Sequence, residues 1–339
     1  MRGKDIRFGI IGCGGIANTH AEALLTIKGA KLIGVCGGTP EEPKEFAAKY
    51  GIKSYSSTDE LLESDDIDAV CICTPSGLHA SIAINAAKHK KNAIIEKPLA
   101  LTKESAMNII TAFRVNDVTG SVISQLRFST DIREAREMIR SGKLGNIIMA
   151  NLVMKYSRSQ AYYDQGNWRG TWKLDGGGAL MNQGIHGVDM LLFLLGEVKN
   201  AHGYIRTLTH KIEVEDNVAA ILIFKSGALG TIIASTSMNP AKNKYIEIHG
   251  EKGTIIIEED RIRNIYIEGE KEYICDVQAA ESATNHLVKA KGHIQQLQDF
   301  TEALQEHRAP YVTLEDGMRA VDLITTIYGS SKTNTIYHR

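Results

Sequence analysis

Glu96-Lys97-Pro98 sets a carboxylate beside an ammonium directly after the apolar run Asn92-Ala93-Ile94-Ile95. Such a run reads as a buried strand, and proline, which has no N–H to donate, ends it. In an open parallel sheet, ligands bind in the crevice beyond the carboxyl ends of the strands, which is where Glu96 and Lys97 stand. Adjacent strand residues point to opposite sides, which gives Glu96 a different task. Taken alone, the tripeptide also fits a solvated strand end leading into a turn, and the surrounding elements must decide. A lysine has a reference pKa of about 10.4. Partial burial and a neighbouring positive charge would bring it down to where general-base catalysis is efficient.

The elements ahead of the tripeptide supply the setting. Arg7 to Ile11 is a short apolar strand, followed by Gly12-Cys13-Gly14-Gly15-Ile16-Ala17, a G-x-G-x-x-A turn that opens a helix to about Ile27. Gly12 permits the tight turn, Gly14 lets backbone approach a pyrophosphate, and small Ala17 lets the helix pack on the strand. The helix N-terminus adds free N–H groups and the positive end of its dipole. Between a strand and a helix this pattern predicts a dinucleotide site. The next strand, Lys31 to Cys36, ends in Gly37-Gly38, without the ribose-binding acid expected about 20 residues beyond the glycines. Thr39-Pro40-Glu41-Glu42 has instead the form of a helix cap with Glu42 as its capping-box acid. These carboxylates repel a 2′-phosphate and no Arg follows to receive one, so NAD is expected over NADP, with NADP left open. Gly12, Gly14, Gly15, Ile16, Ala17, Gly37 and Thr39 are the candidate contacts here.

Strand–helix alternation continues through Ile67–Thr74, the Asn92–Ile95 strand and a strand at Ser121–Leu126. Repeated βα units predict a doubly wound parallel sheet, an α/β domain spanning 1–124. Thr74, Pro75 and His79 fall at another carboxyl strand end and join Glu96 and Lys97 as candidate cofactor contacts. His79 alone reads more simply as a structural hydrogen-bonder.

From about Arg127 the pattern changes. Turn signals separate strands near Ile147–Tyr156, Ala201–Leu208, Asn217–Phe224, Leu229–Ser237, Lys244–His249, Gly253–Glu258 and Arg261–Ile267. They predict a second, α+β domain over 125–339 with a large, mostly antiparallel sheet. Asp276 to Lys291 is the most linker-like stretch, and helices at about 293–330 close the chain and are placed back against the first domain. Between the first two of these strands, a loop holding Trp168-Arg169-Gly170-Thr171-Trp172 runs into Gly176-Gly177-Gly178 and a helix predicted from Ala179 to Leu195. Leu180, Val188, Leu191, Leu192 and Leu195 share one broad side of it. Asn182, His186 and Asp189, spaced i, i+4 and i+7, share the other. Solvated helix faces favour Lys, Glu and Arg, and this stripe has none, so it is a candidate substrate face.

The bulk composition removes several classes. Lys plus Arg number 39 against 40 for Asp plus Glu, which lacks the basic footprint of a nucleic-acid binder. No stretch approaches about 18 apolar residues, so no membrane partner is expected. No signal-peptide pattern precedes the first strand, and the five scattered cysteines fit free thiols in a reducing cytoplasm. No metal site is expected.

These motifs together resemble the Gfo/Idh/MocA oxidoreductases, the glucose–fructose oxidoreductase and inositol dehydrogenase group. The resemblance rests on Gly12-x-Gly14-x-x-Ala17, Thr74-Pro75 with His79, Glu96-Lys97-Pro98, and Gly176-Gly177-Gly178 leading to His186-x-x-Asp189. It extends to His293…Asp299-Phe300 and Glu315-Asp316-Gly317 near the end. The resemblance implies an NAD(P)-binding first domain and a substrate-binding second domain whose sheet forms a homodimer or homotetramer. It makes Lys97 catalytic, with His186 as its partner. Many members carry Asp four residues before that histidine; here Asn182 stands there, and an amide cannot relay a proton as a carboxylate does.

The reading is an NAD(P)-dependent dehydrogenase or reductase of a sugar, cyclitol or sugar derivative. Arg127, Trp168, Arg169, Asn182, His186 and Asp189 are the candidate substrate contacts. The tryptophans suit either a sugar face or loop packing. Gln125-Leu126-Arg127 is similar to a segment of UDP-sugar-acid 3-dehydrogenases in the family, which keeps nucleotide sugars open. An NAD-dependent glycosidase using transient oxidation and a non-catalytic dinucleotide-sensing regulator are the alternatives.

Overall fold

The computed structural model describes residues 4–275, 286–335 and 337–338. The chain divides into two compact units, Met1–Gln125 with Thr284–Met318, and Leu126–Ala283 with Arg319–Arg339. The linker-like stretch from Asp276 lies outside the described residues until a helix begins at His286.

In the first unit, β1 (Ile6–Ile11), β2 (Ala30–Cys36), β3 (Lys53–Ser54), β4 (Ala69–Ile72), β5 (Asn92–Ile95) and β6 (Gly120–Val122) form one sheet. Its order is β3-β2-β1-β4-β5-β6 with every pairing parallel. Helices α1 (Gly15–Leu24), α2 (Glu42–Tyr50), α3 (Thr58–Glu63), α4 (His79–Lys88) and α5 (Lys103–Asn116) make the crossovers. Strand order reverses between β1 and β4, the switch point where such sheets bind dinucleotides. The β4 run Ala-Val-Cys-Ile is buried throughout, which explains its unbroken apolar sequence. The helix His286–Glu306 packs here, with Leu297 and Phe300 fully buried. The Gln296 side chain accepts from Ser124 N at 2.9 Å and donates to the Val122 carbonyl at 2.7 Å.

The second unit contains α6 (Thr130–Arg140), β7 (Ile147–Lys155), α7 (Gln160–Tyr163), α8 (Ile185–Leu195), β8 (Val198–Arg206), β9 (Asn217–Phe224), β10 (Leu229–Ser235), β11 (Tyr245–Gly250), β12 (Gly253–Glu258), β13 (Arg261–Ile267), β14 (Tyr273–Ile274) and β15 (Tyr337–His338). The late helices are α9 (His286–Glu306) and α10 (Leu314–Thr333); α10 starts within the span of the first unit and ends in that of the second. The sheet runs β14-β13-β12-β11-β7-β10-β9-β8-β15, antiparallel except where β10 lies parallel to β7. On β9, Val218, Ala220, Leu222 and Phe224 turn inward while Ile221 and Ile223 stay exposed.

Three sequence expectations shift. The strand expected over Ser121–Leu126 stops at Val122, and Gln125–Phe128 is a 3-10 turn. The first-turn proline of α2 is Pro43 and its N-cap is Glu41, not Thr39; Glu42 still reaches back to accept the Thr39 N–H at 2.5 Å. The helix expected from Ala179 begins at Ile185, so Asn182 lies in a turn and shares no stripe with His186 and Asp189. The Glu215 carboxylate accepts the backbone N–H groups of Gly178 and Leu180 in that turn at 2.9 and 2.8 Å.

Candidate functional site

The glycine turn after β1 has room for a phosphate. Gly12 has φ +114°, and a Cβ there would lie 2.5 Å from the Cys73 carbonyl oxygen, so only glycine fits. A Cβ at Gly14 or Gly15 would meet nothing within 4 Å. Gly14 is the extended N-cap of α1 and no side chain satisfies its first N–H groups; open donors beside open space suit an anion. Ala17 is fully buried against the sheet. Gly37 (φ +103°) closes on Gly12, and its carbonyl accepts from the Cys13 thiol at 3.1 Å. Burial pushes that thiol up to about 11, leaving it neutral. Ile16 is half-buried beside this turn, and Thr39 is tied to Glu42 as described.

The ends of β4 and β5 are braced from below. Both ring nitrogens of His79 are engaged, with the Pro98 carbonyl at 2.7 Å and the Thr74 carbonyl at 2.9 Å. Burial lowers the His79 pKa, and the neutral ring has a single N–H to give, so it donates to one of these two carbonyls and lies beside the other. Glu96 is 5% exposed and faces inward. It accepts from His20 Nε2 at 2.8 Å, lies 3.7 Å from His293 Nε2 and accepts the Lys97 backbone N–H at 3.2 Å. Burial by itself would raise this carboxyl, but the hydrogen bonds and charge of His20 and His293 outweigh it and hold it well below the carboxylate range. Lys97 is half-buried at the strand end.

In the second unit, His186 is half-buried in the first turn of α8, whose other residues are buried apart from Leu195. Asp189 does not join it on a polar face. Asp189 and Arg127 are 4% and 5% exposed and form a two-pronged ion pair, Nε to Oδ2 at 2.9 Å and Nη2 to Oδ1 at 2.6 Å. The Arg127 guanidinium also lies 4.8 Å from the Phe193 ring centroid. Expected as substrate contacts, both residues tie the 3-10 turn to α8, because a charge this buried needs a partner. Asn182 donates to Asp175, which also accepts the Gly170 N–H at 2.9 Å. Trp168 is half-buried with the Arg169 guanidinium 5.0 Å from its ring, while Trp172 packs edge-on to Tyr328 at 5.5 Å, which is loop packing. Tyr328 donates to Glu215 at 2.6 Å and accepts the Met181 N–H at 3.2 Å.

His20, Asp175, Glu215 and Tyr328 escaped the sequence reading, and His293 entered it only as part of a closing segment. All but Asp175, which binds nearby Gly170 and Asn182, act on partners far along the chain.

Comparison with known proteins accords with this geometry. Residues 6–124 match the oxidoreductase family NAD-binding Rossmann fold, and residues 136–338 match the oxidoreductase family C-terminal alpha/beta domain. The chain is 27% identical to the myo-inositol 2-dehydrogenase of Thermotoga maritima over 93% of both chains. It is 28% identical to the scyllo-inositol 2-dehydrogenase (NAD(+)) of Bacillus subtilis, covering 91% of this chain and 89% of that one. It superposes on the WlbA dehydrogenase of Bordetella pertussis, solved with NADH and UDP-GlcNAcA, with TM-score 0.90, 30% identity and 99% of each chain covered. Among the described residues, no helix is long and apolar enough to cross a membrane.

Proposed function

The chain belongs to the Gfo/Idh/MocA oxidoreductase family, and from that premise we propose that it oxidises, or in reverse regenerates, a ring hydroxyl of a sugar or cyclitol with Lys97 as acid/base. The cofactor, NAD, supplies hydride transfer when bound. Gly14 and Gly15 at the start of α1 would hold its pyrophosphate, with Gly12 shaping the turn and Ala17 packing the helix beneath it, and Thr74-Pro75 with the Lys97 strand end would border its other half. In oxidation the neutral Lys97 amine takes the hydroxyl proton; in reduction the ammonium returns it. His186 binds or orients the reacting hydroxyl. The observation that carries this reading is the Lys97 strand end itself, held on one side by Glu96 and on the other through Pro98 by His79. A group with that support is positioned for chemistry rather than left to solvate.

Two of the relatives above are named for inositols and a third was solved with UDP-GlcNAcA. Following NADH absorbance with inositols, free sugars and UDP-sugar acids, under NAD and NADP in turn, tests the reading. Turnover of a ring alcohol with NAD preferred is expected; no NADH change across all three classes overturns it.

The second unit's sheet supports a homo-oligomer. Met149, Leu229 and Ile223 lie in one register row and all are exposed, with Ile221 alongside on the same face. A second copy of this chain is proposed to cover that row. Light scattering should give a dimer or tetramer, and Ile221→Glu should shift it toward monomer.

A further inference from the structure

Two arginines of the second unit are drawn in from solvent without an acid to meet them. Arg158, just after β7, and Arg169, after α7, are both half-buried. Arg7, Arg127 and Arg263, drawn in likewise, each pair with a carboxylate. Among the described residues, the side-chain hydrogen-bond partners of Arg158 and Arg169 are neutral. Arg158 gives Nη2 and Nε to Gln183 Oε1 at 2.7 and 3.2 Å and Nη1 to the Ser157 carbonyl at 2.9 Å. Arg169 gives Nη1 to the Gln165 carbonyl at 2.9 Å, and its buried Nε has no partner among the described residues. Taking a charge out of water with no counter-charge is costly, and an orphaned donor adds to the cost.

The two guanidinium groups converge on one ring. They lie 5.4 and 4.7 Å from the Tyr162 ring centroid, and Arg169 also lies against Trp168. An aromatic ring attracts a cation without cancelling its charge, and the N–H groups at a guanidinium's edge stay available. The pair is tied to the turn that leads to His186. Gln183, the acceptor for Arg158, gives its amide N–H groups to Tyr162 Oη at 2.9 Å and to Asn182 Oδ1 at 3.0 Å, and α8, which carries His186, begins just beyond. Asp175, the acid reached through Asn182, is buried and is taken up by Asn182 and the Gly170 N–H. We propose that Arg158 and Arg169 are the anion-binding side of the substrate site, so that the ring alcohol turned over carries a carboxylate or a phosphate. Guanidinium forks bind both groups through charge-assisted hydrogen bonds. The substrate's anion supplies the counter-charge that the chain does not, and Gln183, which holds the Arg158 fork, is a positioning residue. The inference rests on the dehydrogenase reading above and names the substrate class of that site.

Matched substrates test it: glucose, glucuronate, glucose 6-phosphate, UDP-glucose and UDP-glucuronate, with inositols as further neutral alcohols, each with NAD and followed by NADH absorbance. The readout is the ratio of kcat/KM for an anion to that for its neutral counterpart. A gain on glucuronate places the anion on the sugar ring, and a gain on glucose 6-phosphate or UDP-glucose places it on a phosphate. In the wild type the ratio should be about tenfold or more for at least one anion. Arg169→Gln removes one charge from a loop and should cut that ratio about fivefold or more. Arg158→Gln should do the same, but it also releases Gln183, so Arg169→Gln is the variant safer to fold. Turnover confined to glucose or an inositol, or a wild-type ratio near one for every anion, overturns the inference whether or not the variants fold. So does a ratio that folded Arg158→Gln and Arg169→Gln proteins both keep. No NADH change with any member of the panel overturns the dehydrogenase reading beneath it.

Discussion

Asp189→Ala would leave the Arg127 guanidinium buried without its carboxylate. Both hydrogen bonds of the pair, at 2.9 and 2.6 Å, would be lost. The stranded cation would sit against a Phe193 ring that already has Arg136 3.9 Å from its centroid, so a second cation is close by. Breaking a buried pair from one side costs about 3–5 kcal/mol, whereas replacing both members with apolar residues of similar volume is often near neutral. Asp189→Ala and Arg127→Ala should each destabilise by about that amount, and Arg127→Met with Asp189→Leu by clearly less than their sum. Urea unfolding provides the assay. Tryptophan emission is suited to it, because Trp168 and Trp172, the two tryptophans of the chain, both lie in the second unit. A loss under about 1 kcal/mol for Asp189→Ala, with a large rise in KM, would refute the structural assignment and return Asp189 to the substrate.

Three further substitutions probe the site. Gly14→Val would fill the open space at the α1 N-terminus and should weaken NAD binding at least tenfold, about 1.4 kcal/mol, with the melting temperature unchanged; wild-type affinity by calorimetry would show that the phosphate lies elsewhere. Glu215→Ala removes the acceptor for Gly178 N, Leu180 N and Tyr328 Oη and should cost about 2–4 kcal/mol, with turnover falling and NAD affinity kept. Unchanged thermal stability would contradict its role beneath the turn before α8. His186→Ala should lower turnover on the true substrate while NAD still binds, and turnover equal to wild type would remove it from the chemistry.

The first unit was legible because its signals are local. β1 and the G-x-G-x-x-A turn are adjacent in sequence, and a buried parallel strand announces itself as an apolar run such as Ala69–Ile72. The edges of β9, β12 and β13 match the sequence reading for the same reason, since alternation is written strand by strand. What failed depended on distant partners. Periodicity carried the helix back to Ala179, whereas residues 179–184 form turns held by the distant Glu215 carboxylate. Asp189 sat on an apparently polar stripe, and its meaning changed once Arg127 was beside it. The inward partners of Glu96, His20 and His293, are separated from it by long stretches of chain and could not be read from the tripeptide.

Lys97 carries the most weight. With the substrate identified by the ring-alcohol panel, steady-state turnover and NAD affinity of Lys97→Ala should be measured on the same preparation. Loss of about a hundredfold or more in turnover, with NAD binding retained, is the result expected of an acid/base at the end of β5. Near-native turnover by the alanine enzyme would contradict it, because no other residue has been assigned the principal proton transfer.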